Sequence, residues 1–178
     1  SLSCNSNWWT NILQEVETIC RNLETLCMNL YFLSPMEYSP ISLKPVMVLK
    51  SLKTVKLSFV SLEDFEVFTF LTELRHLELK YCILPKDVKQ FSCLCQLTQI
   101  LLAYCQSSGL YDVADIIHHL VNLTEFEFEG LSFSNGDYDF DETQFSRIVQ
   151  IVKGRSNVLN LKSHYDFTVK RAMNEKVL

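Results

Sequence analysis

Cysteine, histidine and aspartate are the side chains of this sequence best suited to chemistry, and their spacing limits what they can do. Cys93-x-Cys95 brings two thiols close together, but a structural zinc site needs a second pair at matching spacing, and none is present. A reactive thiol needs a nearby base or helix N-terminus, which the sequence does not show. The histidines are His76, His118, His119 and His164. The tandem His118-His119 lies on a segment of helical period, so it straddles a buried and an exposed side. No carboxylate or cysteine stands at a meaningful spacing from it. Asp137, Asp139 and Asp141 alternate as in a calcium loop, yet the sixth position is Glu142 rather than glycine and the twelfth is Ile148. They read as a solvated acidic insertion. There is no phosphate-cradling glycine loop and no nucleophile elbow. No enzymatic activity, metal or cofactor is expected.

Cys82 and Cys105 occupy equivalent places in a repeating pattern, where each is expected to be a small buried residue filling a turn. The cysteine count of seven is odd, and 178 residues are too many for a small disulfide scaffold. Apolar residues make up 48%, which excludes disorder, and four glycines and four prolines exclude a loop-rich or fibrous chain. A formal net charge of -5 leaves no electrostatic footprint for nucleic acid. No apolar run approaches the ~20 residues of a membrane helix. Ser1 to Asn7 is polar and lacks a signal-peptide profile. The chain starts without Met, as a piece of a longer protein would. Asn122-Leu123-Thr124 matches a glycosylation sequon, but Leu123 falls on a core position of the repeat. An intracellular, reducing compartment (cytoplasmic or nuclear) is expected.

The elements that hold these residues emerge from apolar spacing. One pattern places apolar residues three, six and eight positions after a leading one, often with two more beyond. It runs through Leu49, Leu52, Val55, Leu57, Val60 and Leu62, and again through Leu71, Leu74, Leu77, Leu79, Cys82 and Leu84. Further copies are Leu94, Leu97, Ile100, Leu102, Cys105 and Leu120, Leu123, Phe126, Phe128, Leu131, Phe133. Weaker copies flank them: Cys20, Leu23, Leu26 and Met28 upstream, and Leu159 with Leu161 downstream of Ser156. Degenerate ends are expected where an array is capped.

In each copy the doublet separated by two points to one side of a strand. Between the doublets lie helical segments, with Ser61, Asp112 and Asp141 as N-caps, Pro85 as a first helical residue and Gly154 as a stop. Strand and helix alternating in one direction require a parallel sheet with crossovers. Strands stack at ~4.8 Å while helices are ~10 Å across, so the sheet bends away from the helices. The expected fold is an α/β solenoid: a curved parallel sheet of about six strands on the concave side, helices on the convex side. Residues 1–22 form an N-terminal capping helix carrying Trp8, Trp9, Ile12 and Val16, 23–164 the repeat arc and 165–178 a C-terminal cap or tail. Insertions are expected near Ser34 to Pro45, Gln106 to Gly109 and Ser134 to Asp141.

The motif Leu74-x-x-Leu77-x-Leu79-x-x-Cys82 resembles the cysteine-containing type of leucine-rich repeat, found in the substrate-binding halves of F-box proteins. The resemblance spans roughly Cys20 to His164. It departs at Val60 and His164, where the family often has Asn or Cys, and no F-box motif is visible. It implies a non-catalytic protein-interaction module, the substrate-recruiting domain of an F-box-type ubiquitin-ligase receptor that meets its adaptor through residues outside this chain. The alternative is a regulatory or inhibitor scaffold of the ribonuclease-inhibitor-like or innate-immune-sensor kind. An F-box or a signalling domain upstream would separate the two.

If the strands align, alternate residues form columns on the concave face. Lys56, Glu78, Leu101, Glu127 and Asn160 make the central one. Thr54, His76, Gln99 and Glu125 lie on one side, and Ser58, Lys80, Ala103, Glu129 and Lys162 on the other. Lys56 is expected beside Glu78, and Glu129 beside Lys162. Just past the strands, Phe59, Tyr81 and Tyr104 line up as an aromatic ladder of the kind interfaces favour. Glu125, Glu127 and Glu129 on one strand would prefer a protein partner with a basic segment and repel nucleic acid. The sequence offers neither a nucleic-acid nor a membrane surface.

Overall fold

The computed structural model describes residues 11–12, 15–16, 20, 22–29, 39–40, 43–62, 65–107, 109, 111–133, 136–137, 142–155 and 159–163. Six strands form one sheet in chain order: β1 (Thr25–Asn29), β2 (Thr54–Ser58), β3 (His76–Lys80), β4 (Gln99–Ala103), β5 (Glu125–Glu129) and β6 (Asn160–Ser163). Every neighbouring pair is parallel, and Thr25, Thr54, His76, Gln99, Glu125 and Asn160 stand side by side.

The period-two doublets bury one side of this sheet. Leu26/Met28, Val55/Leu57, Leu77/Leu79, Ile100/Leu102 and Phe126/Phe128 are all in the core. Ahead of each lies the same turn: the N–H of Leu23, Leu52, Leu74, Leu97 and Leu123 donates to the carbonyl three residues earlier. Both leucines of the Leu71/Leu74, Leu94/Leu97 and Leu120/Leu123 turns are fully buried. The sixth copy departs from expectation. Leu161 pairs with Phe126 and Ser163 with Phe128, so the strand doublet is Leu161/Ser163 rather than Leu159/Leu161. With Ser156 in place of a leading leucine, nothing in the apolar pattern fixed the register.

Five connections carry helices, of two types. The short 3-10 helices Lys44–Val48, Phe65–Phe70 and Val88–Leu94 lie in the first three connections, and α-helices α1 (Val113–His119) and α2 (Glu142–Lys153) in the last two. Register steps of 22 and 23 residues, from Thr54 to His76 and on to Gln99, leave little chain for the return. A 3-10 helix advances ~2.0 Å per residue against ~1.5 Å for an α-helix, so it covers the distance with fewer residues. The helices pack on one another in chain order. Asp112 caps α1 in a reciprocal capping box with Asp115. Two expected helix starts are not used: Ser61, expected as an N-cap, belongs to the short strand Val60–Ser61, and the helix after Pro85, expected as its first residue, begins only at Val88, capped by Asp87. Gly154 follows the last residue of α2. The side chains of Asp141 and Gln144 lie outside the described residues, as do Trp8, Trp9, Asp139, His164 and 165–178.

Pro85 serves instead as an acceptor for the Gln106 to Gly109 insertion. Its carbonyl takes hydrogen bonds from Tyr111 Oη (2.5 Å) and Ser107 Oγ (3.2 Å), and Gly109 N–H donates to Ser107 Oγ. Burial pushes the Tyr111 hydroxyl up to about 12. In the third insertion, Gly136–Asp137 pairs antiparallel with Ser132–Phe133. The described cysteines are all free. Cys82 and Cys105 are fully buried, and their thiols donate to Leu57 O (3.5 Å) and Leu79 O (3.3 Å), carbonyls one repeat earlier. Each therefore stitches its turn to the preceding strand. Burial pushes the Cys105 thiol well above its ordinary pKa.

Candidate functional site

The outward side of the sheet gathers the residues expected to bind. Lys56, Glu78, Leu101 and Glu127 form one row, His76, Gln99 and Glu125 a second, and Lys80, Ala103 and Glu129 a third. The shift of β6 moves two residues: Lys162 stands in the row of Glu127, and Asn160 in the row of Glu125. Lys162 accordingly does not pair with Glu129. It bonds Glu125 and lies 3.9 Å from Glu127. One residue absent from the expected face, Cys27, is exposed in the Lys56 row. Extending the Leu26/Met28 alternation would have located it.

Charges on the face are largely paired. Glu78 meets both Lys56 (2.7 Å) and Lys80 (2.6 Å). Burial pushes its carboxyl up, but the two lysine hydrogen bonds outweigh that and hold it below its ordinary value. In the outer row, His76 Nδ1 meets Gln99 Oε1 (3.0 Å), and Gln99 Nε2 donates to Glu125 (3.0 Å), which Lys162 also holds. That sequence of donors fixes the Gln99 amide orientation and makes His76 Nδ1 the donor. Exposed pairs of this kind contribute only ~0–1 kcal/mol each, so they set the pattern of the face more than its stability.

The aromatic column is a continuous stack. Phe59 and Tyr81 lie 4.8 Å apart at 6°, and Tyr81 and Tyr104 5.0 Å apart at 9°. Tyr81 is 39% exposed and Tyr104 42%. All three have left-handed backbones, with φ of 62°, 51° and 53°. Such a conformation costs bulky residues roughly 1–3 kcal/mol each. Their N–H groups nevertheless stay in the ladder, donating to Lys80, Ala103 and Glu129 carbonyls. Stacking returns part of the strain, at ~0.5–1.5 kcal/mol per ring pair.

Gly130 takes the fourth place with φ 54° and closes the stack, since a Cβ there would lie 2.4 Å from Tyr104 Cδ1. Gly130→Ala is expected to cost about 1–3 kcal/mol by displacing the Tyr104 ring and straining the backbone. Urea denaturation would measure the loss, and tyrosine near-UV circular dichroism would report the displaced ring.

The remaining chemical candidates are dispersed. His118 is exposed, and His119 Nδ1 meets Ser92 Oγ at 2.8 Å. Among the described residues no three His, Cys, Asp or Glu side chains are grouped to hold a metal. No helix among them is long and apolar enough to cross a membrane.

No protein-family model matches the sequence, and no curated protein matches it. Among solved structures, internalin C2 (inlC2) from Listeria monocytogenes str. 4b F2365 is similar over 84% of this chain and 55% of its own, at 16% identity and a TM-score of 0.50. An internalin (inlF) from the same strain is similar over 68% of this chain and 32% of its own, at 15% identity and a TM-score of 0.42. This chain thus spans about half or less of the internalin structures it matches. Internalins are leucine-rich-repeat proteins. With its six-stranded parallel sheet and connecting helices, this protein has an α/β leucine-rich-repeat fold.

Proposed function

We propose that this chain is a non-catalytic protein-interaction module whose outward sheet face, walled by the aromatic stack, takes a partner protein. The supporting observation is the Phe59–Tyr81–Tyr104 stack. Three bulky rings occupy left-handed positions that glycine would fill without strain, and two of them remain well exposed. Local strain of this kind accompanies binding sites, and tyrosine is a favoured interface anchor. The partner surface then comprises Lys56, Phe59, His76, Glu78, Lys80, Tyr81, Leu101, Tyr104, Glu125, Glu127, Glu129 and Lys162, with the β5 glutamates favouring a basic segment.

The finer reading is a curved solenoid spanning 23–164, concave on the strand side and capped by a helix in 1–22. Helical backbone at Asn11, Ile12, Glu15 and Val16, with Val16 packed on the core, supports the cap. The cysteine-type repeat supports a substrate-recruiting role in an intracellular F-box-type receptor, with the adaptor held by residues outside this chain.

Affinity capture with the full-length protein tests both levels. Tyr81→Ala with Tyr104→Ala is expected to reduce a captured partner at least tenfold. Because the rings stack, stability also falls, by about 1–3 kcal/mol. Val46→Ala, a core change in the 3-10 helix Lys44–Val48, is the control for stability loss. Equal loss of binding in the control would assign the rings to folding alone. A Skp-type adaptor retained by the tyrosine variant supports the ligase role, whereas its absence favours a regulatory scaffold.

A further inference from the structure

We infer that this face reads an extended segment in which an apolar residue and an arginine or lysine stand two positions apart, the cation completing Glu129. The inference rests on the docking reading above and names the partner's chemistry. Three of the four face glutamates have a lysine: Glu78, Glu125 and Glu127. Glu129 has none among the described residues. Its Oε1 accepts the Tyr104 hydroxyl at 2.5 Å, which supplies a hydrogen bond but no positive charge. Glu129 is half-buried beside the aromatic stack, and a charged donor would bond its carboxylate more strongly than the hydroxyl does.

The neighbouring strand supplies the anchor site. On β4 the face residues Gln99, Leu101 and Ala103 carry no charge, and Leu101 is half-buried between Glu78 and Glu127 of its own row. Glu129 lies one strand across and two residues along from Leu101, about 8 Å by strand geometry. Alternate residues of an extended segment are spaced ~6.6–7 Å on one side, and a long basic side chain spans the remainder. Lys80, in register with Ala103 on the β3 side and held by Glu78, leaves the β5 side, with Glu129, as the place for a further cation.

The test is selection of a random 12-residue peptide phage library on the immobilised full chain, followed by affinity measurement of a selected synthetic peptide. Enrichment of an apolar residue with Arg or Lys two positions away is the expected result. Glu129→Gln keeps an acceptor for Tyr104 and should weaken that peptide roughly tenfold without changing the unfolding midpoint. Unchanged affinity in Glu129→Gln, enrichment without a basic residue, or no selected binder would each overturn the inference. The docking reading fails separately, if Tyr81→Ala with Tyr104→Ala leaves the same peptide bound as before.

Discussion

Phe126→Ala is expected to lower the unfolding free energy by about 3–5 kcal/mol, the range for emptying a buried aromatic site. Phe126 is fully buried on β5, with Ile100 as its register partner on one side and Leu161 on the other. Its ring centroid lies 5.4 Å from that of Phe128 on the same strand. Ladder hydrogen bonds fix the backbones on both sides, so the neighbours cannot close much of the void, and the cost falls towards the upper end. A repeat array holds each unit only through its neighbours. The loss should therefore concentrate beyond β5: amide exchange in α2 and β6 should accelerate more than in β2 and β3. Urea denaturation with exchange read by mass spectrometry would measure both effects. A loss below about 1 kcal/mol would mean that the site collapses freely and that Phe126 does not join the two halves.

The doublets that place Phe126 were legible because leading leucines fix a period-two register four times over. Where serine replaces the leucine, at Ser156, the register was lost by two residues, and with it the pairing of Lys162. The helix type was legible in retrospect. Phe65, Phe68, Leu71 and Val88, Phe91, Leu94 recur strictly every three residues, which is the 3-10 repeat. Val113, Ile116, Ile117, Leu120 mix spacings of three and four, as an α-helix requires. Aligning the copies gave the Phe59–Tyr81–Tyr104 column, but not its left-handed backbone. Bulky aromatic residues are poor candidates for that conformation, and only Gly130, in the fourth copy, marks the position. The pairing state of the face glutamates depends on side-chain reach across strands, which residue spacing does not encode.

Polar stitching between repeats was equally hidden from the apolar pattern, and Arg155 is its strongest instance. Gln96 Nε2 donates to Phe68 O and Leu71 O, and Asn122 Nδ2 to Cys95 O, each covering carbonyls at the end of the preceding helical segment. Arg155 does the same for α1 with a charge, donating to Ile117 O (3.1 Å), Leu120 O (2.6 Å), Val121 O (2.7 Å) and Leu123 O (3.1 Å). Ile117 O and Leu120 O also accept the turn N–H groups of Leu120 and Leu123, so the guanidinium adds a second donor to each, at the helix end favoured by a cation. Burial lowers the pKa of the guanidinium, a sign that it has given up water for these acceptors. Charge-assisted bonds of this kind are worth ~1.5–3 kcal/mol each in buried sites, and partial exposure reduces the sum. Arg155→Ala is therefore expected to cost about 3 kcal/mol. Arg155→Gln, imitating Gln96, should recover about half of that, and Gln96→Ala should cost about 1 kcal/mol. Urea midpoints of the three variants would rank them, and added salt should change the ranking little because the acceptors are neutral. If Arg155→Ala costs no more than Gln96→Ala, water replaces the guanidinium at those carbonyls and its charge contributes nothing to joining α1 with α2.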